Sequence, residues 1–320
     1  MRWLIVGSGS IARRHIDSVL LLDDSAKFVR LSSTGNLPVA PGIDDVMEVV
    51  VDDWGAAIDW EPDAAIVANA ASAHVDSLRR LVLRGIPTLV EKPLAVTAQE
   101  ARGLVENVRV SGVPVLVGYC LHHHRDVKKM RGLVQTGELG DLLQITAHVG
   151  QHIDDWRPLA SRPPVSLDPG LGGGALLELS HELDLVISFL GKPLTVNGAL
   201  TYSEGWEVEM AASILLSYQR SSAVISMNML ERPPRRQLGI IGSKGSAFTD
   251  FVSGGIHVSS KSVGTRFVET SSSDSMFTEQ IRHFIACIRG QDRPQVTVEE
   301  AVSVLECIEL VRASQKDVGT

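Results

Sequence analysis

The chain has 320 residues, 44% hydrophobic and 21% charged, enough for two domains with cores of their own in an ordinary globular protein. Its net charge is −8 and no block of lysines or arginines stands out, which argues against nucleic-acid binding and against attraction to anionic membranes. The three cysteines, Cys120, Cys287 and Cys307, are scattered and odd in number, so a disulfide framework is not expected and a reducing cytoplasm is. No apolar run approaches the ~18 residues of a membrane span, and the N-terminus runs straight into a strand pattern without the features of a signal peptide.

Residues 2–6 read as a buried strand, followed by Gly7-Ser8-Gly9-Ser10-Ile11-Ala12 and a helical pattern from Ile11 to about Leu22. This is G-x-G-x-x-A after a strand and opening a helix, the context of a dinucleotide fingerprint. Gly7 permits the tight turn, Gly9 lets backbone approach a pyrophosphate, and Ala12 allows close helix–strand packing. The helix N-terminus offers free N–H groups to phosphate. A second strand, 27–31, leads into Ser32-Ser33-Thr34-Gly35-Asn36. An NAD site usually has an acid about 20 residues past the glycines. Hydroxyl residues stand there instead, leaving room for a 2′-phosphate, with Arg13, Arg14 and Arg30 as nearby cations. The expected cofactor is therefore NADP(H), with NAD(H) as the alternative.

Short strands follow at 46–51, 64–68, 87–90 and 113–118, separated by helical stretches. Ser72 is a candidate cap for one helix, and Thr97 with Glu100 reads as a capping box for another. This alternation predicts βαβ units and a parallel sheet. Glu91-Lys92-Pro93 stands at the carboxyl end of its strand, where ligands bind in open parallel sheets. A lysine there can exchange a proton with a substrate hydroxyl; taken alone, it reads more readily as a solvated loop lysine, and the motifs around it shift that reading.

At about Tyr119 the pattern changes. His122-His123-His124 leads into a helix ending near Gly137, and longer, antiparallel-looking strands follow at 142–149, 194–202, 207–218, 223–229, 237–242 and 265–269. A long loop over roughly 154–173 includes Trp156. Gly172-Gly173-Gly174 then opens an amphipathic helix on which Glu178, His181 and Asp184 share one face, a plausible proton-transfer arrangement. Two helices, about 276–289 and 297–313, finish the chain. Adjacent histidines on an extended chain point to opposite faces, so no metal site is expected.

Together, GSGSIARRH at 7–15, VEKPLA at 90–95 and GGGALLELSHELD at 172–184 resemble the Gfo/Idh/MocA family of sugar and inositol oxidoreductases. Weaker matches are Asn69 to His74 and Gly118-Tyr119-Cys120-Leu121-His122. The resemblance implies a Rossmann domain over 1–119 and, over 120–320, a substrate-binding and oligomerisation α+β domain with a large, mostly antiparallel sheet. It implies hydride transfer between nicotinamide and a carbinol or keto carbon of a sugar, sugar nucleotide or cyclitol, with Lys92 or His181 moving the proton. Implied cofactor contacts are Gly7, Gly9, Ser10, Ile11, Ala12, Arg13, Ser32, Ser33, Asn69, His74, Glu91 and Lys92. Implied substrate contacts are Lys92, Tyr119, His122, His123, Trp156, Glu178 and His181. A homodimer or homotetramer is expected. Two departures stand out: Glu178 replaces the family's aspartate, and His122 stands at its arginine. The short L-S-H-E-L-D form looks like members found among surface-polysaccharide and nonulosonic-acid genes, which points toward a nucleotide sugar or an amino or deoxy sugar. An idle NAD(P)-binding sensor or scaffold is the competing reading.

Overall fold

The computed structural model describes residues 1–32, 39–156, 165–261, 264–270 and 275–314, with the side chain of Trp156 left out. Ser33 and the turn after it lie outside the described residues. The chain divides into two compact units, one comprising residues 1–120 and 274–302, the other 121–273 and 303–320.

In the first unit, β1 (Arg2–Val6), α1 (Ser10–Leu22), β2 (Lys27–Leu31), β3 (Val49–Val51), α2 (Trp54–Asp59), β4 (Ala64–Val67), α3 (His74–Val82), β5 (Thr88–Val90), α4 (Ala98–Ser111) and β6 (Val115–Val117) alternate strictly after β3. The sheet order is β3-β2-β1-β4-β5-β6, with every pairing parallel. That is the doubly wound order whose switch point lies between β1 and β4. The strands are near-continuous apolar runs because helices cover both faces. Trp3, Ile5, Ile16, Phe28, Ile66 and Leu89 are fully buried in one cluster with Phe284. Phe284 comes from α9 (Met276–Ile288), which packs against α1. Each such side chain contributes roughly 1.5–3 kcal/mol by leaving water.

Local chemistry sets the boundaries. Thr97 and Glu100 form the expected capping box at the start of α4, and Gly112 ends that helix at φ 65°. Ser72 does not cap α3. A 3-10 turn, Ala71–Ala73, precedes that helix, so Ser72 sits inside the turn and Ala73 occupies the cap position. The strand expected over 46–51 begins only at Val49, because Asp44–Val46 form another 3-10 turn.

The second unit holds α5 (Arg125–Gln135), β7 (Leu142–Gly150), α6 (Ile153–Trp156), α7 (Ala175–Glu178), α8 (His181–Leu190), and then β8 (Thr195–Tyr202), β9 (Glu209–Ser217), β10 (Ser222–Asn228), β11 (Arg235–Gly242), β12 (Gly245–Asp250), β13 (Ile256–Ser260) and β14 (Gly264–Val268). The last helix, α10 (Val298–Ser314), begins among residues assigned to the first unit and continues into the second. The sheet runs β14-β13-β12-β11-β7-β10-β9-β8. It is antiparallel except at its centre, where β10 lies parallel to β7. Strands β12 and β13 were not expected. They are short and half polar, and only register with β11 and β14 turns Ala247, Thr249, Ile256 and Val258 inward.

One face of this sheet is apolar and covered, with α7 on β9 and β10 and α8 on β7 and β10. The other carries a row in register across the strands: Asn197, Leu215, Val224, Thr146, Gly239, Phe248, His257 and Phe267. Leu215, Val224, Phe248 and Phe267 of that row are exposed.

Candidate active site

The fingerprint lies at the carboxyl end of β1, beside the switch point. Gly7 has φ 125°, and a Cβ there would overlap the Ala68 carbonyl, so the turn demands glycine. A Cβ on Gly9, by contrast, would meet nothing within 4 Å. Gly9 occupies the N-cap of α1 without a capping side chain, and the first turn contains no acid. Ser10, Ile11 and Ala12 thus begin a helix whose free N–H groups and partial positive charge suit a pyrophosphate. At the end of β4, Asn69 donates to Ser77 Oγ at 3.1 Å, while its buried Oδ1 has no partner among the described residues. A ribose hydroxyl or a carboxamide N–H suits that acceptor. The residues present fit a nicotinamide dinucleotide.

The expected 2′-phosphate cations are mostly engaged elsewhere. Arg30 is buried and bidentate on Asp44, at 2.8 and 3.1 Å. Arg14 stacks over the Phe277 ring at 4.8 Å. Arg13 pairs with Asp17 across one helical turn at 2.8 Å and stays partly exposed. Ser32 donates its backbone N–H to Val51 O at 2.7 Å, which leaves its hydroxyl uncommitted by that bond.

Glu91, Lys92 and Pro93 follow β5 at the same edge of the sheet, and the Lys92–Pro93 peptide is cis. Glu91 is buried, with Oε1 2.7 Å from His15 Nε2 and Oε2 accepting the Lys92 N–H at 3.1 Å. Burial pushes the Glu91 pKa up, but the hydrogen bond and charge of His15, followed by Lys92, outweigh it and hold the carboxyl below its ordinary range. His74 is also buried, with Nδ1 2.8 Å from Pro93 O and Nε2 3.1 Å from Asn69 O. Burial holds its pKa below the ordinary histidine value, against the pull of the two carbonyls. The polar atoms of both residues expected as cofactor contacts thus face protein partners. Tyr119, just beyond β6, is fully buried.

In the second unit two of the three glycines serve packing. A Cβ on Gly173 would overlap Ser166, and one on Gly174 would overlap the carboxylate of Glu209. Glu209 accepts from the Leu176 N–H at 3.1 Å and from Arg312 at 3.3 Å, so it satisfies the start of α7. The helix expected to carry Glu178, His181 and Asp184 on one face is broken. α7 ends at Glu178 and α8 begins at His181, because Leu179, at φ −104° and ψ 20°, leaves the helical conformation; the Ser180 hydroxyl donates to Leu177 O at 2.9 Å beside the break.

Within this stretch Glu182 and Asp184 are buried, and Glu178 and His181 keep partial exposure. Glu182 is held by Arg236 at 2.6 and 3.1 Å, and Asp184 Oδ2 lies 2.7 Å from His122 Nε2. Glu178 accepts the Ser166 hydroxyl at 2.9 Å. The three adjacent histidines diverge in role: His122 meets Asp184, His123 is buried, and His124 accepts the Asp126 N–H at the start of α5.

A model of the oxidoreductase family with an NAD-binding Rossmann fold matches residues 1–119, and a model of the GFO/IDH/MocA C-terminal domain matches residues 127–248. The chain belongs to the Gfo/Idh/MocA oxidoreductase family. Its relatives in this family are distant. A D-xylose 1-dehydrogenase (NADP(+)) of Haloferax volcanii is 22% identical over 79% of this chain and 78% of its own. A dTDP-3,4-didehydro-2,6-dideoxy-alpha-D-glucose 3-reductase of Streptomyces antibioticus is 24% identical over 98% of this chain and 96% of its own. A levoglucosan dehydrogenase solved with NADH and levoglucosan superposes with a TM-score of 0.87 at 14% identity, covering 99% of this chain and 97% of its own.

Residues that sequence reading missed include His15, Ser166 and Glu209. His15 closes the GSGSIARRH motif, so its place nine residues into a Gfo/Idh/MocA fingerprint was visible, but its partner Glu91 was not. Ser166 and Glu209 carry no local signal, because register and loop path alone bring them to Glu178 and α7.

Proposed function

We propose that this family member is an NAD(P)-dependent oxidoreductase that interconverts a carbinol and a carbonyl on a sugar, sugar nucleotide or cyclitol. The observation that carries the reading is Lys92 at the carboxyl end of β5, on the sheet edge where the uncapped fingerprint helix begins. Bound nicotinamide supplies the hydride acceptor or donor. In oxidation the C–H bond of the carbinol is lost as hydride and the hydroxyl proton passes to a base, leaving a carbonyl. Lys92 handles that proton or orients the hydroxyl, and His181 is the principal base, histidine being the side-chain class suited to proton transfer near neutral pH. Glu178 orients the His181 ring or contacts the substrate. The other proposed substrate contacts are Tyr119, His122 and His123, each of them buried, and Trp156.

We assign the cofactor as NADP(H) at least as readily as NAD(H), on the absence of an acid at Ser32 and on the partly exposed Arg13. Domain boundaries near Tyr119, a cytoplasmic location and a small-molecule partner complete the reading; the three buried cysteines, none in a disulfide, support a reducing compartment. Self-association uses the exposed row of Leu215, Val224, Phe248 and Phe267, which a second copy would hide from water.

The test is nicotinamide fluorescence. The protein is mixed with NADH or NADPH and then with a panel of keto-sugars, free and nucleotide-linked. Cofactor consumption with at least one sugar is expected. Binding without consumption across the whole panel would overturn the reading.

A further inference from the structure

Two buried imidazoles hold the residues on either side of Lys92. Upstream, His15 Nε2 meets Glu91 Oε1 at 2.7 Å, and Glu91 uses its other oxygen to accept the Lys92 N–H at 3.1 Å. Because the Glu91 carboxyl is held ionised, the proton of that contact belongs to His15 Nε2. Downstream, His74 lies 2.8 Å from Pro93 O and 3.1 Å from Asn69 O. A ring with one proton can donate to only one of them, and the shorter contact assigns it to Pro93. The exposures of His15 and His74 are 0% and 1%.

The surroundings leave these groups little room. Phe277 packs edge-on against His15, with ring centroids 5.7 Å apart. A Cβ on Gly118 would come within 3.0 Å of the Glu91 backbone and carboxylate. His15 sits on α1, whose N-terminus is the phosphate cradle, and His74 opens α3. Glu91 and Pro93 are the residues whose backbone aims the flexible lysine stem between them.

We propose that His15, through Glu91, and His74, through Pro93, are positioning residues that fix Lys92 from both sides. The proposal rests on the reading of Lys92 as the proton-handling group. It turns two histidines with no place in the chemistry into the reason the lysine stays aimed. The His15–Glu91 bond also ties the middle of α1 to the strand end that carries Lys92. Displacing a reacting group by about 1 Å can cost about 10²-fold in rate.

The test uses the full chain in four substitutions: Lys92→Met, Glu91→Gln, His74→Leu and, as the conservative partner of the last, His74→Asn. Turnover is read with the keto-sugar panel, cofactor affinity by NADH and NADPH fluorescence, and clamping by hydrogen exchange of the Lys92 amide. Glu91→Gln and His74→Leu are expected to lower kcat about 10²-fold, leave cofactor Kd unchanged and speed Lys92 amide exchange. His74→Asn, which keeps one donor, is expected to recover part of the loss. If Lys92→Met is inactive while Glu91→Gln and His74→Leu keep wild-type kcat and exchange, the clamp is overturned. If Lys92→Met keeps its kcat, the proton-handling role of Lys92 fails instead; faster exchange in the other two would still support the clamp, and unchanged exchange would overturn it.

Discussion

His122 Nε2 lies 2.7 Å from Asp184 Oδ2, with both side chains buried. The other ring nitrogen, Nδ1, faces Arg131 Nη2 at 3.4 Å, and Arg131 also donates to Ser188 Oγ at 3.1 Å. A guanidinium can only donate, so Nδ1 accepts and the Nε2 proton points at Asp184. The chain Arg131–His122–Asp184 therefore pins α8 to the segment before α5. Asp184→Asn is expected to cost about 1–3 kcal/mol in urea unfolding, the range for a buried group that loses a charged partner. Turnover should fall much less than stability. A variant as stable as the parent would show that the pair holds nothing.

His181 and Glu178 are the two partly exposed titratable groups of the stretch from 178 to 184. His181→Ala is expected to lower turnover by ~10²–10⁴-fold, the usual contribution of a placed proton-transfer group. Glu178→Gln should cost less, because the amide can still accept the Ser166 hydroxyl. Steady-state kinetics decides the order, and a larger loss for Glu178→Gln would exchange the two roles.

The lack of an acid at Ser32 has a direct consequence for cofactor choice. NADPH is expected to bind at least as tightly as NADH, and Arg13→Ala should weaken NADPH alone. Fluorescence titration of both cofactors measures this. A tenfold preference for NADH, about 1.4 kcal/mol, would show that the hydroxyl-rich turn takes no part.

Glu231 is surrounded by donors: His148 at 2.8 Å, Asn228 at 3.1 Å, and Arg235. Burial pushes its pKa up, but Arg235, Asn228 and His148 together bring it from 4.5 down to about 2. A carboxyl lowered on folding stabilises the native state above its unfolded pKa and loses that contribution as pH falls through the folded one. The stability advantage of the parent over Glu231→Gln should therefore be full at neutral pH and fade between pH 4.5 and about 2. Urea unfolding across that window tests it, and an advantage independent of pH would refute it.

Val224 stands mid-row on the uncovered face of the large sheet, opposite Leu215 on β9 and Thr146 on β7. The parent is expected to scatter light as a dimer or larger species at micromolar concentration. Val224→Arg should reduce that mass without unfolding the chain, since the position is exposed. A monomeric parent would leave this face without a partner copy.

Much of the first unit was legible because its signals are local. Gly7, Gly9 and Ala12 mark a turn, an approach and a close packing, and Thr97 with Glu100 announces a helix start. The second unit was less legible. The break between α7 and α8 falls at Leu179, whose backbone leaves the helical conformation, and no periodicity reports such a turn. Strands β12 and β13 become strands through their neighbours, since Gly245–Asp250 has too few apolar residues to declare itself. The same holds for the site: Glu91 and Lys92 were visible as a motif, but the histidines that face Glu91 and Pro93 come from helices far away in sequence.

The parallel seam between β7 and β10 also governs the order in which this sheet can assemble. β8, β9 and β10 form one run of sequence-adjacent pairings, and β11 to β14 form another. β7 joins the two, yet it precedes both in the chain, with α6, α7, α8, β8 and β9 made before β10 arrives. On a ribosome, β7 emerges with both edges bare and waits for partners encoded much later. Closing that span is entropically costly, and long-range pairings of this kind slow folding. Until they form, a strand with open edges is exposed to other chains, so the window for misassembly is set by the time taken to synthesise everything from α6 through β11.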